Sequence, residues 1–231
     1  MKKIILSLLL LAFILPGCET ARQILGSTGT GSLSNADIVQ GLKEALRVGT
    51  DSTTKHLSIL NGFFGDDIIR ILMPPEAQKV EKTLRDVGLG KTVDKAVLSM
   101  NRAAEDASKY VGNIFINAIT SMTISDAIGI LRGGDFSATE YLKRSTTQQL
   151  TAAFRPIIER SLGNVDATRH WNEVFTLYNK FSRNPVNTDL PAYVTDKALY
   201  GLFYHIGLQE QKIRKDPFAR VTEILRKVFG S

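Results

Sequence analysis

Residues 92–119 read TVDKAVLSMNRAAEDASKYVGNIFINAI, and this stretch decides the fold class. Its apolar side chains recur at intervals of three and four residues, which places them along one side of a helix. They are Ala96, Met100, Ala103, Ala107, Tyr110 and Ile114. Because many of them are alanines, a neighbouring helix can approach closely. The stretch therefore predicts one long helix from Thr92 to about Ile119 that packs against other helices.

The same helical spacing continues on both sides of this stretch, and most segments carry a recognisable helix start. Predicted starts stand at Ser34 with Asp37, Pro74-Pro75, Thr123 with Asp126, Ser137 with Glu140, Asp189, and Asp216-Pro217. Ser137-x-x-Glu140 is the strongest of these signals, since it matches a capping box. We find no strand pattern and no internal repeat. The prediction is an all-α fold, a single helical-bundle-like domain of about eight helices over residues 34–231.

Glycines and prolines predict where these helices end or bend. Gly49 is expected to stop the first helix, with a second short helix over residues 53–60. Pro156 is expected to kink or split the helix that starts at Ser137. Residues 68–73 are apolar and short, which is typical of either a buried extended segment or part of a turn. A further helix is predicted after Asp166, bearing Trp171, Val174, Phe175 and Tyr178.

The first 17 residues, MKKIILSLLLLAFILPG, have the pattern of a secretory leader. Two lysines precede an apolar run from Ile4 to Leu15. As a helix this run is about 18 Å long, shorter than the ~30 Å hydrocarbon core of a bilayer. A signal peptide that is cleaved fits better than a permanent span. We therefore predict a signal peptide over residues 1–17.

Cys18 follows the leader directly and is the only cysteine of the 231 residues. Leu15-Pro16-Gly17-Cys18 resembles a bacterial lipobox, in which the cysteine thiol is acylated; Pro16 departs from the residue types usual at its position. Cys18 is the predicted lipidation site. An ordinary secretory signal with an incidental cysteine is the alternative. With Cys18 acylated, the mature chain has no disulfide and depends on its core alone.

Residues 18–33 are predicted to be a flexible, lipidated tether, because Gly26–Ser32 reads GSTGTGS and has no apolar pattern. Loss of the leader lowers the net charge from +6 to +4, since Lys2 and Lys3 are its only charged residues. Acidic and basic residues are interspersed along the rest of the chain. This mild basic excess and the export signal predict no nucleic-acid partner.

Polar residues among the alanines of residues 92–119 form the candidate site. Asn101 and Glu105 lie four residues apart and share a helix face. Since buried charges need partners, we expect Arg102 and Glu105 to join an interhelical ionic network that fixes the register of the bundle. The alternatives are a ligand or catalytic pocket on the same residues, and a solvated face. The candidate network consists of Asn101, Arg102, Glu105, Asp126 and Arg214.

The remaining chemistry-bearing residues predict no catalytic or metal site. His56, His170 and His205 are far apart in sequence, so we expect no metal site, and His205 is expected to be a hydrogen-bonded core residue. Gly90-Lys-Thr lacks the glycine that a phosphate-binding loop requires at position 85. No cofactor and no catalytic residue is predicted. The aromatic residues are expected to pack in the core; a groove for an acyl chain is the alternative.

Three segments carry a resemblance to a known family. They are Met100-Asn-Arg-Ala-Ala-Glu105, Met122-Thr-x-x-Asp126-Ala-x-x-Ile-Leu131 and Glu210-x-x-Ile-Arg-x-Asp-Pro217. Together they resemble the bacterial DUF4197 family, over about residues 33–229. The resemblance implies an envelope protein, often a lipoprotein, with a helical fold. It brings no assigned reaction and no catalytic residues.

The leading functional hypothesis is a non-enzymatic lipoprotein of the bacterial cell envelope that acts through contact with an envelope protein or lipid. We expect it to be held on the outer membrane by a lipid anchor at Cys18, with the membrane face left open. A helical binding protein for a lipid or other hydrophobic ligand is the first alternative. A hydrolase using the region of Glu105 and Asp126 is the second.

Overall fold

The structure is a computed structural model that describes residues 34–163, 179–180, 185 and 189–230. These residues form eight α-helices and two 3₁₀ turns, without a strand, so the all-α prediction is confirmed for this part of the chain. The helices are α1 (Asn35–Leu57), α2 (Gln78–Asp86), α3 (Gly90–Ser108), α4 (Gly112–Thr120), α5 (Ile124–Arg132), α6 (Ser137–Gly163), α7 (Leu190–Lys215) and α8 (Glu223–Phe229). The 3₁₀ turns are Pro75–Ala77 and Pro217–Ala219.

Three helices begin at the side-chain caps that the sequence predicts. At α1, the Asp37 N–H donates to Ser34 Oγ at 3.1 Å and the Ser34 N–H donates to Asp37 Oδ2 at 3.2 Å. Thr123 and Asp126 form the same reciprocal pair at α5, at 3.1 and 3.0 Å. Asp189 accepts a backbone N–H in the first turn of α7 at 3.0 Å. Each cap satisfies donors that a helix N-terminus leaves without an intrahelical partner.

α1 continues from Asn35 to Leu57, so the predicted stop at Gly49 and the separate helix over residues 53–60 are wrong. Gly49 is buried. A Cβ added there would meet Gln209 Cβ of α7 at 3.5 Å, an ordinary contact. A glycine inside a helix costs about 1 kcal/mol relative to alanine, and the packing of α1 along its length outweighs this cost.

The predicted helix over residues 92–119 is divided into α3 and α4 by residues 109–111. The backbone N–H groups of Lys109 and Tyr110 bond to carbonyls three residues earlier, which tightens the end of α3. The break buries Val111 completely and leaves Tyr110, predicted on the apolar side, 61% exposed. Burial of the side chains after the break therefore outweighs the local preference for one straight helix.

α6 continues through Pro156 to Gly163. Of the two predicted outcomes at this proline, a kink or a split, the split is therefore wrong. The helix predicted after Asp166 lies outside the described residues. Near the C-terminus, Asp216 caps the 3₁₀ turn Pro217–Ala219 and not the last helix. α8 begins after this turn and has its own cap at Thr222.

α6 and α7 pack against each other at the centre of the domain. α3 lies against α6, while α1 packs on α7 and contacts α4, α5 and α8. The largest completely buried side chains include Phe63, Phe115, Phe154, Met100, Leu142 and Leu202. Among the described residues, no single helix has the length and apolar composition of a membrane span; α4 and α5 pass that test only as a pair, bent by 101°.

Candidate functional site

The connection between α1 and the first 3₁₀ turn, residues 58–74, contains no helix; we refer to it as the 58–74 loop. Irregular connections of this length are uncommon in compact domains and usually serve a function. Its path is tightly constrained. Asn61 has a left-handed backbone with φ 66°. A Cβ on Gly62 would lie 2.6 Å from the backbone carbonyl oxygens of His56 and Leu57.

Glu105 of α3 holds the middle of the 58–74 loop. Its Oε1 accepts the backbone N–H groups of Phe63 at 3.1 Å and Phe64 at 3.3 Å. Its Oε2 accepts Arg102 Nη1 at 2.5 Å, and Arg102 Nη2 donates to Asn61 Oδ1 at 2.8 Å. Glu105 is only 4% exposed. Its charge is therefore fully partnered, as a buried carboxylate requires.

Asn101, one turn before Glu105, holds the end of the same loop. Its Oδ1 accepts the Ile71 N–H at 2.9 Å, and its Nδ2 donates to the Ile71 carbonyl at 2.8 Å. The side-chain amide thus makes the two hydrogen bonds to Ile71 that the backbone of a neighbouring strand would make. The loop is extended here, and its side chains alternate as in a strand: Ile69, Ile71 and Met73 are buried, whereas Ile68 and Leu72 are exposed.

A third contact fixes the centre of the loop to α7. Asp66 Oδ1 accepts the Ile68 N–H at 2.9 Å and the Ile69 N–H at 3.4 Å, and Asp66 Oδ2 lies 2.9 Å from His205 Nε2. His205 is buried and hydrogen-bonded, as predicted. Burial lowers its pKa, although the bond to Asp66 opposes this. Burial works to raise the pKa of Asp66, but these hydrogen bonds outweigh it and lower that pKa.

The expectation that the histidines stay apart is wrong for two of them. The rings of His56, at the end of α1, and His205 lie with their centroids 4.9 Å apart. Asp66 completes a group whose three ligand atoms all lie within 4.8 Å of one another. Because these residues are far apart along the chain, the sequence does not predict that they come into contact.

Four aliphatic side chains of the 58–74 loop are exposed. Ile59, Leu60, Ile68 and Leu72 are 58%, 71%, 60% and 58% exposed. The guanidinium groups of Arg70 and Arg102 lie 5.2 and 5.9 Å from the ring centroid of Phe64. Arg70 Nε also donates to the Phe64 carbonyl at 2.6 Å. The loop therefore presents aliphatic side chains from a backbone that buried polar groups hold in place.

Arg214 belongs to a separate cluster at the start of α6. It pairs with Glu210 at 2.8 Å and donates to the Ile130 carbonyl at 2.9 Å. Glu210 in turn accepts the backbone N–H groups of Ala138 at 3.0 Å and Thr139 at 2.8 Å. The predicted capping box at Ser137 is wrong, because the Glu140 N–H bonds to the Phe136 carbonyl at 2.9 Å and the Ser137 N–H to the Gly134 carbonyl at 3.2 Å. The carboxylate of Glu210 satisfies the other N–H groups of this first turn.

Asp126 lies in neither cluster, since its carboxylate is used in the cap of α5. The hydrogen bonds from Thr123, side chain first and backbone second, lower the pKa of Asp126. The predicted network is thus three separate groups: Asn101, Arg102 and Glu105 at the loop, Asp126 at α5, and Arg214 with Glu210 at α6.

Sequence reasoning missed Glu210, although its spacing of four from Arg214 was visible, and it missed Asp66, which carries no sequence signal. Cys18 lies outside the described residues.

The spaces between the described helices include a small, mostly apolar cavity and several open grooves. The small cavity, between α1 and α7 beside Phe229, has a volume of about 20 Å³. An open groove of about 700 Å³ runs between α1, α4 and the start of α8. Of the aromatic residues expected to pack in the core, Phe63 and Phe203 are buried there. The expectation is wrong for Tyr200, which is 55% exposed, while Trp171 and Phe175 fall outside the described residues.

A family model for proteins of unknown function, DUF4197, matches residues 32–230 of the chain. No curated protein and no solved structure matches it. The matched region contains all eight described helices and the 58–74 loop.

Proposed function

The chain belongs to the DUF4197 family of proteins of unknown function, and we propose that it is a lipid-anchored envelope protein that binds a partner protein through its 58–74 loop. The role is non-enzymatic and depends on a rigid contact surface. The observation that carries the proposal is the combination of four exposed aliphatic side chains with a loop backbone held by buried polar groups.

The anchor is proposed from the sequence. Cys18 follows a short apolar leader in a lipobox-like context, and residues 18–33 provide a spacer rich in Gly, Ser and Thr. Acyl chains contribute roughly 0.8 kcal/mol per buried CH₂, so two or three chains suffice for durable attachment. We propose the outer membrane of a bacterium as the site of attachment. The sequence is compatible with attachment at either the periplasmic face or the surface face of this membrane.

The loop has the properties of a binding surface. A loop that is already fixed loses little conformational entropy when it binds, so more of the contact energy contributes to affinity. Exposed aliphatic side chains gathered in one segment are costly in water unless a partner covers them. The alanine-rich helix α3 supplies Asn101, Arg102 and Glu105, whose side chains hold the loop.

The charge of the loop favours a protein partner over a lipid surface. Asp66 and Asp67 lie between the exposed aliphatic residues Leu60 and Ile68, and the Asp67 side chain is 89% exposed. Arg70 pairs with Asp67 at 2.9 Å. Charged pairs beside exposed apolar side chains are typical of protein interfaces, which have a polar rim. The exposed Asp67 carboxylate disfavours insertion among anionic lipid headgroups.

The geometry gives less support to the two alternatives. The small cavity of about 20 Å³ has room for about one water molecule and not for an acyl chain. The groove of about 700 Å³ between α1, α4 and the start of α8 is open to solvent and does not enclose a ligand as most binding pockets do. A hydrolase at Glu105 and Asp126 needs a carboxylate that is free to exchange protons with a substrate. Glu105 is buried and its oxygens accept three hydrogen bonds, while Asp126 is used in a helix cap.

Photo-crosslinking in the native envelope tests the proposed partner. A photoreactive amino acid replaces Leu60 in the full chain, and the matched control replaces Val221, which is 64% exposed in another segment. We expect a protein adduct of discrete mass from position 60 and none from position 221. A Leu72→Asp change in the same chain should remove the adduct, because it places a charge in the contact surface without disturbing the core.

Three results contradict the proposal. They are equal adducts at positions 60 and 221, adducts at position 60 that contain only lipid, and a protein adduct that survives Leu72→Asp. Circular dichroism of the Leu72→Asp variant checks that it is folded. Leu72 is 58% exposed, so the Tm of the Leu72→Asp variant should stay within about 2 °C of the wild-type Tm.

A further inference from the structure

Three side chains from distant parts of the chain converge where the 58–74 loop contacts α7. His56 lies in the last turn of α1, Asp66 in the loop and His205 in the middle of α7. Their nearest ligand atoms all lie within 4.8 Å of one another. His205 Nε2 and Asp66 Oδ2 are 2.9 Å apart, and the two imidazole rings are tilted by 40°.

Two of these groups are already held in position. Asp66 Oδ1 accepts the N–H groups of Ile68 and Ile69, which leaves Oδ2 directed at His205. His205 is buried, and the ring of Tyr204 lies against it edge to face with centroids 5.6 Å apart. Fixed ligands with outer support are characteristic of metal sites. The third group, His56, lies on the exposed side and leaves an approach from solvent.

We infer that His56, Asp66 and His205 form a binding site for a divalent transition-metal ion, with Zn²⁺ as the ion that best suits the donors. Two imidazoles and one carboxylate are a common zinc ligand set, and a tetrahedral ion takes water in the fourth position. Zn–N and Zn–O bonds of about 2.0–2.2 Å require ligand atoms a little more than 3 Å apart. The Asp66–His205 pair therefore opens by a few tenths of an ångström, and the His56 ring turns toward it.

A metal ion at this position would join α1, the 58–74 loop and α7. In the unfolded chain these three ligands are far apart, so binding selects the folded state and stabilises it. The ion would also fix the loop to α7 at Asp66. The metal site does not rest on the proposed partner protein. Metal binding is measured on the isolated protein, so the result does not depend on whether a partner binds the loop.

Calorimetric titration with Zn²⁺ tests the site. The full chain, without a histidine tag and stripped with a chelator, is titrated together with His56→Ala and Asp66→Asn. His56 is exposed, and asparagine at position 66 keeps an oxygen for the Ile68 N–H, so both variants should fold. His170→Ala removes the remaining histidine of the chain and serves as the control.

We expect one Zn²⁺ per chain and a Tm that rises with Zn²⁺ concentration. His56→Ala and Asp66→Asn should each weaken binding by about tenfold or more, whereas His170→Ala should leave it unchanged. Cobalt as a spectroscopic probe should give visible absorption bands that are lost in the same two variants. The inference is overturned if the wild type binds neither ion, if both variants bind Zn²⁺ as the wild type does, or if only His170→Ala abolishes binding.

Discussion

Glu210 caps helix α6 from helix α7. Its Oε2 accepts both the backbone N–H of Thr139 at 2.8 Å and the Thr139 hydroxyl at 2.7 Å, across 71 residues of sequence. Its Oε1 accepts the Ala138 N–H at 3.0 Å. The bidentate contact joins the two helices that pack at the centre of the domain, and it places a negative charge at a helix N-terminus, where the backbone dipoles favour one.

The first prediction follows from this contact. Glu210→Ala should lower the free energy of unfolding by about 3 kcal/mol, because it leaves the buried N–H groups of α6 without acceptors and Arg214 without its carboxylate. Glu140→Ala is the matched control. Glu140 is the exposed residue that the capping-box pattern favoured, and its loss should cost less than about 0.5 kcal/mol. Urea unfolding followed by circular dichroism measures both, and an equal or larger cost for Glu140→Ala would contradict the assignment.

The second prediction concerns the amide that replaces a strand partner. Asn101→Ala leaves the buried N–H and carbonyl of Ile71 unpaired and should cost about 2–3 kcal/mol. The loss should be local. In hydrogen exchange, the amides of the 58–74 loop should lose protection before those of α6 and α7. Asn113→Ala, at an exposed asparagine of α4, is the control and should leave exchange in the loop unchanged. Uniform loss of protection over all helices in Asn101→Ala would show that Asn101 supports the whole core and not the loop.

The third prediction compares two buried helical glycines. At Gly201 an added Cβ would lie 2.6 Å from Phe63 Cε1 and 3.2 Å from Ile69 Cβ, so Gly201→Ala should push the loop off α7 and lower stability by about 1–3 kcal/mol. At Gly49 the nearest atom is at 3.5 Å, an ordinary contact. Gly49→Ala should therefore raise stability by up to about 1 kcal/mol. Thermal and urea unfolding of the pair test the signs, and the same sign for both variants would contradict the packing at one of the sites.

Sequence reasoning succeeded where the determining contacts are local. The caps at Ser34 and Thr123 join residues three apart, so a four-residue pattern contains both partners. Arg102 and Glu105 were singled out because they are polar residues among alanines on one helix. Their target, the backbone of Phe63 and Phe64, lies about forty residues away and has no side-chain signature.

Most of the missed contacts are long-range. Glu210 reaches Thr139, and Asp66 reaches His205 across 139 residues. Helix periodicity determines which face is buried but not which helices become neighbours, so it could not bring His56 and His205 together. The same limit explains the errors at Gly49 and at residues 109–111. Tertiary packing outweighed a glycine in the first case and a continuous helical pattern in the second.

The last prediction concerns the proposed anchor. Cys18→Ala removes the only thiol of the chain, so no diacylglycerol can be attached. We expect the variant to leave the membrane fraction and to enter the soluble fraction as a folded protein. The reason is quantitative: at roughly 0.8 kcal/mol per CH₂, the acyl chains account for nearly all of the expected membrane affinity. Thr20→Ala, two residues further along the tether, is the control and should fractionate as the wild type does.

Mass spectrometry of the mature N-terminus gives a second measurement, because a lipidated Cys18 adds the mass of its acyl chains. If the Cys18→Ala protein still sediments with membranes, or if the mature wild-type chain carries an unmodified Cys18, lipidation at this residue is not what holds the protein.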